Sequence, residues 1–318
     1  MIDVSSGANS LEPDPDRSDV VHLPARPIAG HKGTFGTVLI IGGCATATSH
    51  MVGAPALAAL AAMGAFRAGA GLVKVLSPAS ILDAAITIVP SATGIALPVD
   101  ERGWPAIPSA IEVLDRQFAS CSACLIGPGM GTEGVAPLVL RVVQQEDAPL
   151  VIDADALNVL AAIPDLWRDF RAASILTPHP GEFRRLAEAF KINHDPTDPF
   201  QRPRAAAALA QRLGCIVVLK GAGTVVSDGL KAWVCDRGSP SLATAGTGDV
   251  LGGLLVGLLA QYCHGPARPL PLYEAARVAV WTHAMAGEAW ARENGASGGL
   301  LASELAALLP RELEKLRA

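Results

Sequence analysis

Hydrophobic positions along the chain alternate between two patterns. Short aliphatic runs, apolar at successive positions, occur at Val38–Ile41, Leu72–Leu76, Cys124–Ile126, Leu150–Asp153, Ser174–Thr177, Cys215–Lys220 and Thr224–Ser227. Runs of this kind read as strands covered on both faces. Between them lie Ala- and Leu-rich stretches with helical spacing. The first starts at Pro55 and is closed by Gly69, the order in which these two residues bracket a helix. Further helices are predicted at Val135–Gln145, Ala156–Ala162, Glu182–Ala189, Pro203–Leu213, Val250–Gln261, Tyr273–Ala291 and Ser303–Leu309. Asp228-Gly229 separates two strand-like runs and reads as a hairpin turn. The alternation predicts an α/β fold, a mainly parallel sheet with helices on both faces. There is no internal repeat, and Asn193–Pro203, with three prolines, reads as a loop within the domain. Residues 1–25 read as a solvated arm and 26–318 as a single domain.

Composition sharpens this picture. Half of the 318 residues are hydrophobic, 17% are charged and the mean hydropathy is +0.36, so a membrane reading has to be met. The longest stretch without a charged residue, Gly33–Phe66, is broken by Gly42-Gly43, by the polar run Thr46–His50 and by Pro55. Val250–Cys263 is more apolar but shorter than the roughly 20 residues a spanning helix needs. The sequence therefore predicts no membrane span, and the apolar excess belongs to a two-sided core. A net charge of -5 and 4% aromatics leave neither the basic footprint nor the stacking platforms of a nucleic-acid binder. The N-terminus lacks a signal-peptide pattern, and six cysteines are too dilute for a disulfide scaffold. These features predict a cytoplasmic protein with reduced thiols. So apolar a chain points to a homo-oligomer, a tetramer being one form.

In open α/β sheets ligands bind beyond the carboxyl ends of the strands. Six predicted strand ends carry glycines or polar residues: Gly42-Gly43, Gly127–Gly131, Asp153–Asp155, Thr177–Glu182, Lys220–Thr224 and Ala245–Asp249. Together they describe the rim of one crevice. In the last, Gly246-Thr247-Gly248-Asp249 runs straight into an apolar helix, whose first N–H groups can hold an anion. Asp249 there either caps the helix or takes a proton from a substrate hydroxyl while the N–H groups stabilise a transferring phosphoryl group. Lys220 is either a solvated hairpin lysine or a cation offered to a nucleotide. His179, between two prolines, is either a structural histidine or one held toward the rim. Glu182 reads as a helix-dipole partner with a metal role second, and Asp153 and Asp155 as water-mediated Mg²⁺ holders, with Asp155 alternatively a helix cap. The sequence contains no Walker motif and no dinucleotide fingerprint. Cys121 and Cys124 lack the second pair a zinc site needs.

This loop set resembles the ribokinase-like superfamily and, more narrowly, the ADP- or ATP-dependent NAD(P)H-hydrate dehydratases. The resemblance runs from His31-Lys32-Gly33 through Asp153-Ala154-Asp155-Ala156-Leu157-Asn158, Thr177-Pro178-His179-Pro180-Gly181-Glu182 and Lys220-Gly221-Ala222-Gly223-Thr224 to the helices after Asp249, about residues 31–309. It implies a three-layer α/β/α ribokinase-like fold and a repair activity on the S-epimer of hydrated NADH or NADPH. The ring hydroxyl is phosphorylated from ADP or ATP with Mg²⁺, and phosphate then leaves. It also implies roles for residues. Asp249 is the base and touches the substrate. Lys220, Gly221, Ala222, Gly223, Thr224, Gly246, Thr247 and Gly248 contact the nucleotide, while Ala54, Gly129 and His179 contact the hydrate.

Some positions depart from the family pattern. Met51 stands where an aromatic is common, Ser239-Pro240-Ser241-Leu242 replaces Asn-Pro-Gly-Met, and Ala245 replaces a glycine. Altered loop flexibility is the expected consequence. Only 30 residues precede His31, so an epimerase for the other epimer is expected as a separate protein. The competing reading is a ribokinase-like kinase of a small vitamin alcohol, of thiazole, pyrimidine or pyridoxal type, which would share Asp249 but release a stable phosphate ester.

Overall fold

The computed structural model describes residues 20–45, 54–163, 165–166, 170–265 and 269–317. Nine strands form one sheet. They are β1 (Thr37–Ile41), β2 (Leu72–Pro78), β3 (Thr93–Leu97), β4 (Ala123–Ile126), β5 (Leu150–Ile152), β6 (Ser174–Leu176), β7 (Ile216–Leu219), β8 (Val225–Ser227) and β9 (Ala232–Val234). Their order across the sheet is β3-β2-β1-β4-β5-β6-β7-β8-β9. β1 to β7 pair in parallel, with Val38 opposite both Val73 and Ala123, and β8 and β9 add two antiparallel strands at one edge. β1 thus lies between β2 and β4, and the chain reverses its direction of travel across the sheet there. That reversal is the topological switch point, where such sheets open a crevice.

Helices cover both faces. They are α1 (Ala54–Arg67), α2 (Ala79–Ile88), α3 (Ile107–Phe118), α4 (Ala136–Val143) and α5 (Asp155–Ala162). α6 (Pro180–Phe190), α7 (Arg202–Leu213), α8 (Thr247–Tyr262), α9 (Leu272–Asn294) and α10 (Ala302–Glu314) complete the set. The strand period of two sorts the core. Val38 and Ile40 join α1, α8, α9 and α10 on one face, while Leu39 and Ile41 join α3 to α7 on the other. This is the three-layer arrangement the sequence predicted, and no helix among the described residues is long and apolar enough to cross a membrane.

The run Val250–Cys263 finds its explanation in α8, which is buried nearly all round. It packs backbone to backbone on α1, because small residues line both helices. A Cβ on Gly253 would lie 2.0 Å from the Ala61 carbonyl oxygen, and one on Gly64 would lie 2.5 Å from that of Val250. Gly253→Ala is expected to lower stability by about 1–3 kcal/mol, the usual range for overpacking. A denaturant midpoint equal to the parent's would show that α1 gives way freely.

One boundary is corrected. The 1–25 arm does not extend to residue 25, since Val20 and Leu23 are buried and the Leu23 N–H donates to the Leu316 carbonyl at 2.7 Å. Apolar side chains at this spacing are held by the core, whatever the polarity before them. Residues 1–19, and Thr46–Met51 in the departing loop after Gly43, lie outside the described residues.

Candidate functional site

The rim forms at the carboxyl ends of the strands. At the switch point the Gly43 N–H donates to the Pro128 carbonyl at 2.8 Å, tying the loop after β1 to that after β4. Gly129, at φ +61, lies against the start of α1; a Cβ there would meet Ala54 Cα at 3.0 Å. Ala54 and Gly129 are therefore neighbours across the crevice. Asp155 does not cap its helix: the N-cap is Ala154, at φ 50, and the Asp155 carboxylate accepts from the Gly131 N–H at 2.9 Å.

His179 is the N-cap of α6. Its Nδ1 accepts from the N–H groups of Gly181 (2.9 Å) and Glu182 (3.4 Å), and Glu182 Oε2 accepts in return from the His179 N–H at 2.8 Å. This reciprocal cap satisfies the helix start, and two N–H donors on Nδ1 place the ring proton on Nε2. That N–H lies 3.3 Å from Glu182 Oε1 on a half-exposed side chain. Burial, then the nearby Lys220 charge, lowers the His179 pKa, with Asp153 opposing. His179 is thus a neutral hydrogen-bond donor at the rim, doing structural and rim-facing work together.

Lys220 corrects the solvated-hairpin alternative. Its side chain is 19% exposed, and Nζ lies 2.7 Å from Oδ1 of Asp153, itself 2% exposed. The pair closes across the sheet because the Lys220 N–H bonds the Pro178 carbonyl, drawing the end of β7 toward the loop after β6. The other Asp153 oxygen faces the first turns of α8, where a Cβ on Gly252 would lie 3.5 Å from it. Lys220 Nζ also stands beside Gly248, 3.6 Å from where its Cβ would be.

Asp249 sits in the first turn of α8, after Gly246 at φ 89. Thr247 anchors this turn: its hydroxyl is shared between the carbonyls of Leu242 and Thr244, and its own carbonyl accepts from His283 Nε2 at 3.0 Å. Burial, then the Asp153 charge, pushes Asp249 up to about 7 against the pull of Lys220. Burial likewise raises Glu182 to about 7, with Lys220 opposing and Asp153 adding. For Lys220 burial lowers the pKa, but Asp153, Glu182 and Asp249 outweigh it and the ammonium ends above the ordinary lysine value. A carboxyl poised near neutrality beside a fixed cation and a helix N-terminus suits proton abstraction during phosphoryl transfer.

A cavity of about 700 Å³ opens beside α8's first turn. Lys220–Thr224 form one wall, and the end of β9 with the turn Pro240–Leu242 form a second. Gly248, Leu251, Val280, His283 and Ala284 close it. Its volume and largely apolar walls suit a small organic ligand. The sequence reading did not single out Val234–Gly238, Val280, His283 or Ala284. The polar run Asp236–Ser239 after β9 was the signal available; His283, alone in a long apolar helix, gave none. His283 is drawn down to about 4, mainly by burial, so it too is neutral. All six cysteines are buried and none is in a disulfide, and burial raises Cys121 and Cys215, neither of which lines the cavity, to about 12.

Comparison with known proteins decides the family. The family model described as NAD(P)H-hydrate dehydratase matches residues 38–311. The chain belongs to the NAD(P)H-hydrate dehydratase family. It is 35% identical to the ADP-dependent (S)-NAD(P)H-hydrate dehydratase of Xanthomonas campestris, over 92% of this chain and 94% of that one. It is 37% identical to the bifunctional NAD(P)H-hydrate repair enzyme of Vibrio cholerae, over 89% of this chain. The chain spans about half the length of bifunctional relatives of this kind, 50% for the Vibrio protein. Among solved structures, the ADP/ATP-dependent NAD(P)H-hydrate dehydratase of Bacillus subtilis, co-crystallised with ATP/Mg²⁺, superposes with a TM-score of 0.72 at 29% identity. That match covers 95% of this chain and all of the Bacillus one. The same fold is found in a ribokinase-like superfamily protein from Enterococcus faecalis, with a TM-score of 0.70 at 23% identity over 93% of each chain.

Proposed function

We propose that this chain dehydrates the S form of hydrated NADH or NADPH back to the reduced cofactor, with ADP or ATP as phosphoryl donor. The observation that carries the reading is the placement of Asp249. It stands in the first turn of α8 beside Gly248, a residue of the 700 Å³ cavity wall. It is also within electrostatic reach of Lys220, Asp153 and Asp155, the last of which holds the Gly131 N–H next to the Ala54–Gly129 crevice. The nucleotide takes the cavity, its phosphates reaching Lys220–Thr224 and Gly246–Gly248. The hydrate takes the crevice, against Ala54, Gly129 and His179.

Asp249 accepts the proton of the ring hydroxyl as its oxygen bonds the terminal phosphorus, and the nucleotide departs one phosphate shorter. Phosphate then leaves carbon with the C–O electron pair, and the neighbouring carbon gives up a proton to restore the double bond. Hydroxide is a poor leaving group and phosphate a good one, so the donor is consumed to make elimination possible. Lys220 and the N–H groups of α8 hold the charge that develops on the transferring group.

Mg²⁺ is implied by the reaction. Among the described residues no three His, Cys, Asp or Glu converge on one metal position, and Asp153 and Asp155 are engaged by Lys220 and the Gly131 N–H. These residues fit an ion bound mainly by nucleotide phosphates and water, with Asp153 and Asp155 beyond the water, which is how Mg²⁺ is commonly held. It would neutralise phosphate charge. The other epimer would first need an epimerase activity.

The test is direct. Protein with Mg²⁺ and either ADP or ATP, given hydrated NADH, is expected to restore the absorbance of reduced nicotinamide and release inorganic phosphate in equal amount. Phosphorylation of thiazole, pyrimidine or pyridoxal alcohols with no return of absorbance would replace this reading with the kinase one.

A further inference from the structure

Arg202 is the first residue of α7 and only 6% exposed. On electrostatic grounds it is misplaced, since a cation at a helix N-terminus opposes the macrodipole and a buried charge without a counter-ion is costly. No carboxylate among the described residues pairs with it; burial alone lowers its pKa. Its partners are all main-chain carbonyls. Nη1 donates to Pro196 at 2.6 Å, and Nη2 faces Leu219 at 3.0 Å, Lys220 at 3.3 Å and Gly223 at 3.3 Å. The guanidinium also lies directly beneath Gly221, at φ +141, where a Cβ would come within 3.2 Å of both Nη atoms.

Two of those four carbonyls, Lys220 and Gly223, belong to the turn that walls the large cavity, Leu219 ends β7 just before it, and Pro196 anchors the loop that precedes α7. With its carbonyls drawn down onto one rigid fork, the turn is fixed before any ligand arrives. Among the described residues the N–H groups of Gly221, Ala222 and Gly223 find no acceptor, so they remain available to an anion. Arginine suits this task because its planar fork reaches several acceptors at once, which a lysine ammonium on a flexible stem does not.

We propose that Arg202 is the positioning residue of the nucleotide loop, a buried fork that presets Leu219–Gly223 for the phosphates of an adenine nucleotide. This rests on the assignment of the cavity to the nucleotide. The fixed turn also explains how glycines at two of its positions can coexist with a defined binding geometry. Their freedom is removed from below, and the entropy of ordering the loop is met on folding and not on binding.

The test is calorimetric titration of ADP into the wild-type chain, Arg202→Gln and Arg202→Lys, beside the KM for hydrated NADH and the thermal midpoint of each. ADP affinity is expected to fall about 10–100-fold in Arg202→Gln, the scale of a misplaced binding group, and by less in Arg202→Lys. The KM for the hydrate should stay within about twofold of wild type, because Ala54, Gly129 and His179 lie on other elements. Arg202→Lys keeps the charge and provides the folded variant if Gln does not fold. Unchanged ADP affinity in a folded variant overturns the proposal, as does an equal fall in both affinities tracking a lowered midpoint. A wild-type chain that folds but binds neither ADP nor ATP overturns the nucleotide assignment itself, and Arg202's role with it.

Discussion

Asp249→Asn is expected to lose about 10²–10⁴-fold in turnover, the usual contribution of a positioned general base, while binding ADP as the parent does. The amide keeps the shape of the first turn of α8 and the N–H groups around it, but cannot take a proton. The parent's pH profile carries the same signature. With Asp249 raised to about 7, kcat/KM should climb with pH through that value as the carboxyl ionises. Stability should move the other way. The folded protein holds a proton up to about pH 7 that the unfolded chain releases near the ordinary aspartate value of 3.8. Stability is therefore lost as pH rises from about 4 to about 7. Removing the carboxyl removes that loss, so Asp249→Asn should be the more stable protein at pH 8, by about 1–4 kcal/mol, with the gap closing toward pH 4. A variant that is equally active, or that is stabilised equally at both pH values, would remove Asp249 from the role of base.

That coupling was only partly legible in the residues. Strands buried on both faces betray themselves as aliphatic runs, and β1, β2 and β4 to β8 were found that way. β3 was not, because its exposed edge position lets Thr93 and Gly94 dilute the pattern. α2 was missed for a related reason, carrying a single buried residue, Ala85, over ten. α3 could have been found, since Ala110, Leu114 and Phe118 keep a four-residue spacing onto the core. Asp153, His179 and Lys220 were each marked by polar residues following a strand. Asp249 was marked instead by the glycine-rich turn that opens α8, which follows the turn Pro240–Leu242 and no strand. What no local pattern carries is the bond between Asp153 and Lys220, sixty-seven positions apart. Arg202 is the harder case: in sequence it is a cation before a proline, and only the fold places it under the β7–β8 turn.

Asp153→Ala should be the most damaging change near the site. It leaves the Lys220 ammonium buried without its partner, expected to cost about 3–5 kcal/mol. The ammonium is not then without attraction, since Glu182 and Asp249 already act on it. It should move onto Asp249, which loses the repulsion of Asp153 and gains a closer cation. Both changes lower the Asp249 pKa, so the acid limb of kcat/KM should move below 7 while turnover at pH 8 falls about tenfold or more, a weaker base being a poorer one. Asp153 therefore keeps Lys220 away from the base as much as it holds the lysine at the cavity mouth. The double replacement Asp153→Leu with Lys220→Met separates the two functions. An apolar pair of similar volume is often as stable as the ion pair it replaces, so stability should recover while turnover and nucleotide affinity do not. An acid limb that stays at 7 in Asp153→Ala would mean that Asp249 is tuned by burial alone. Recovery of turnover in the double variant would mean that the ion pair serves the fold and not the reaction.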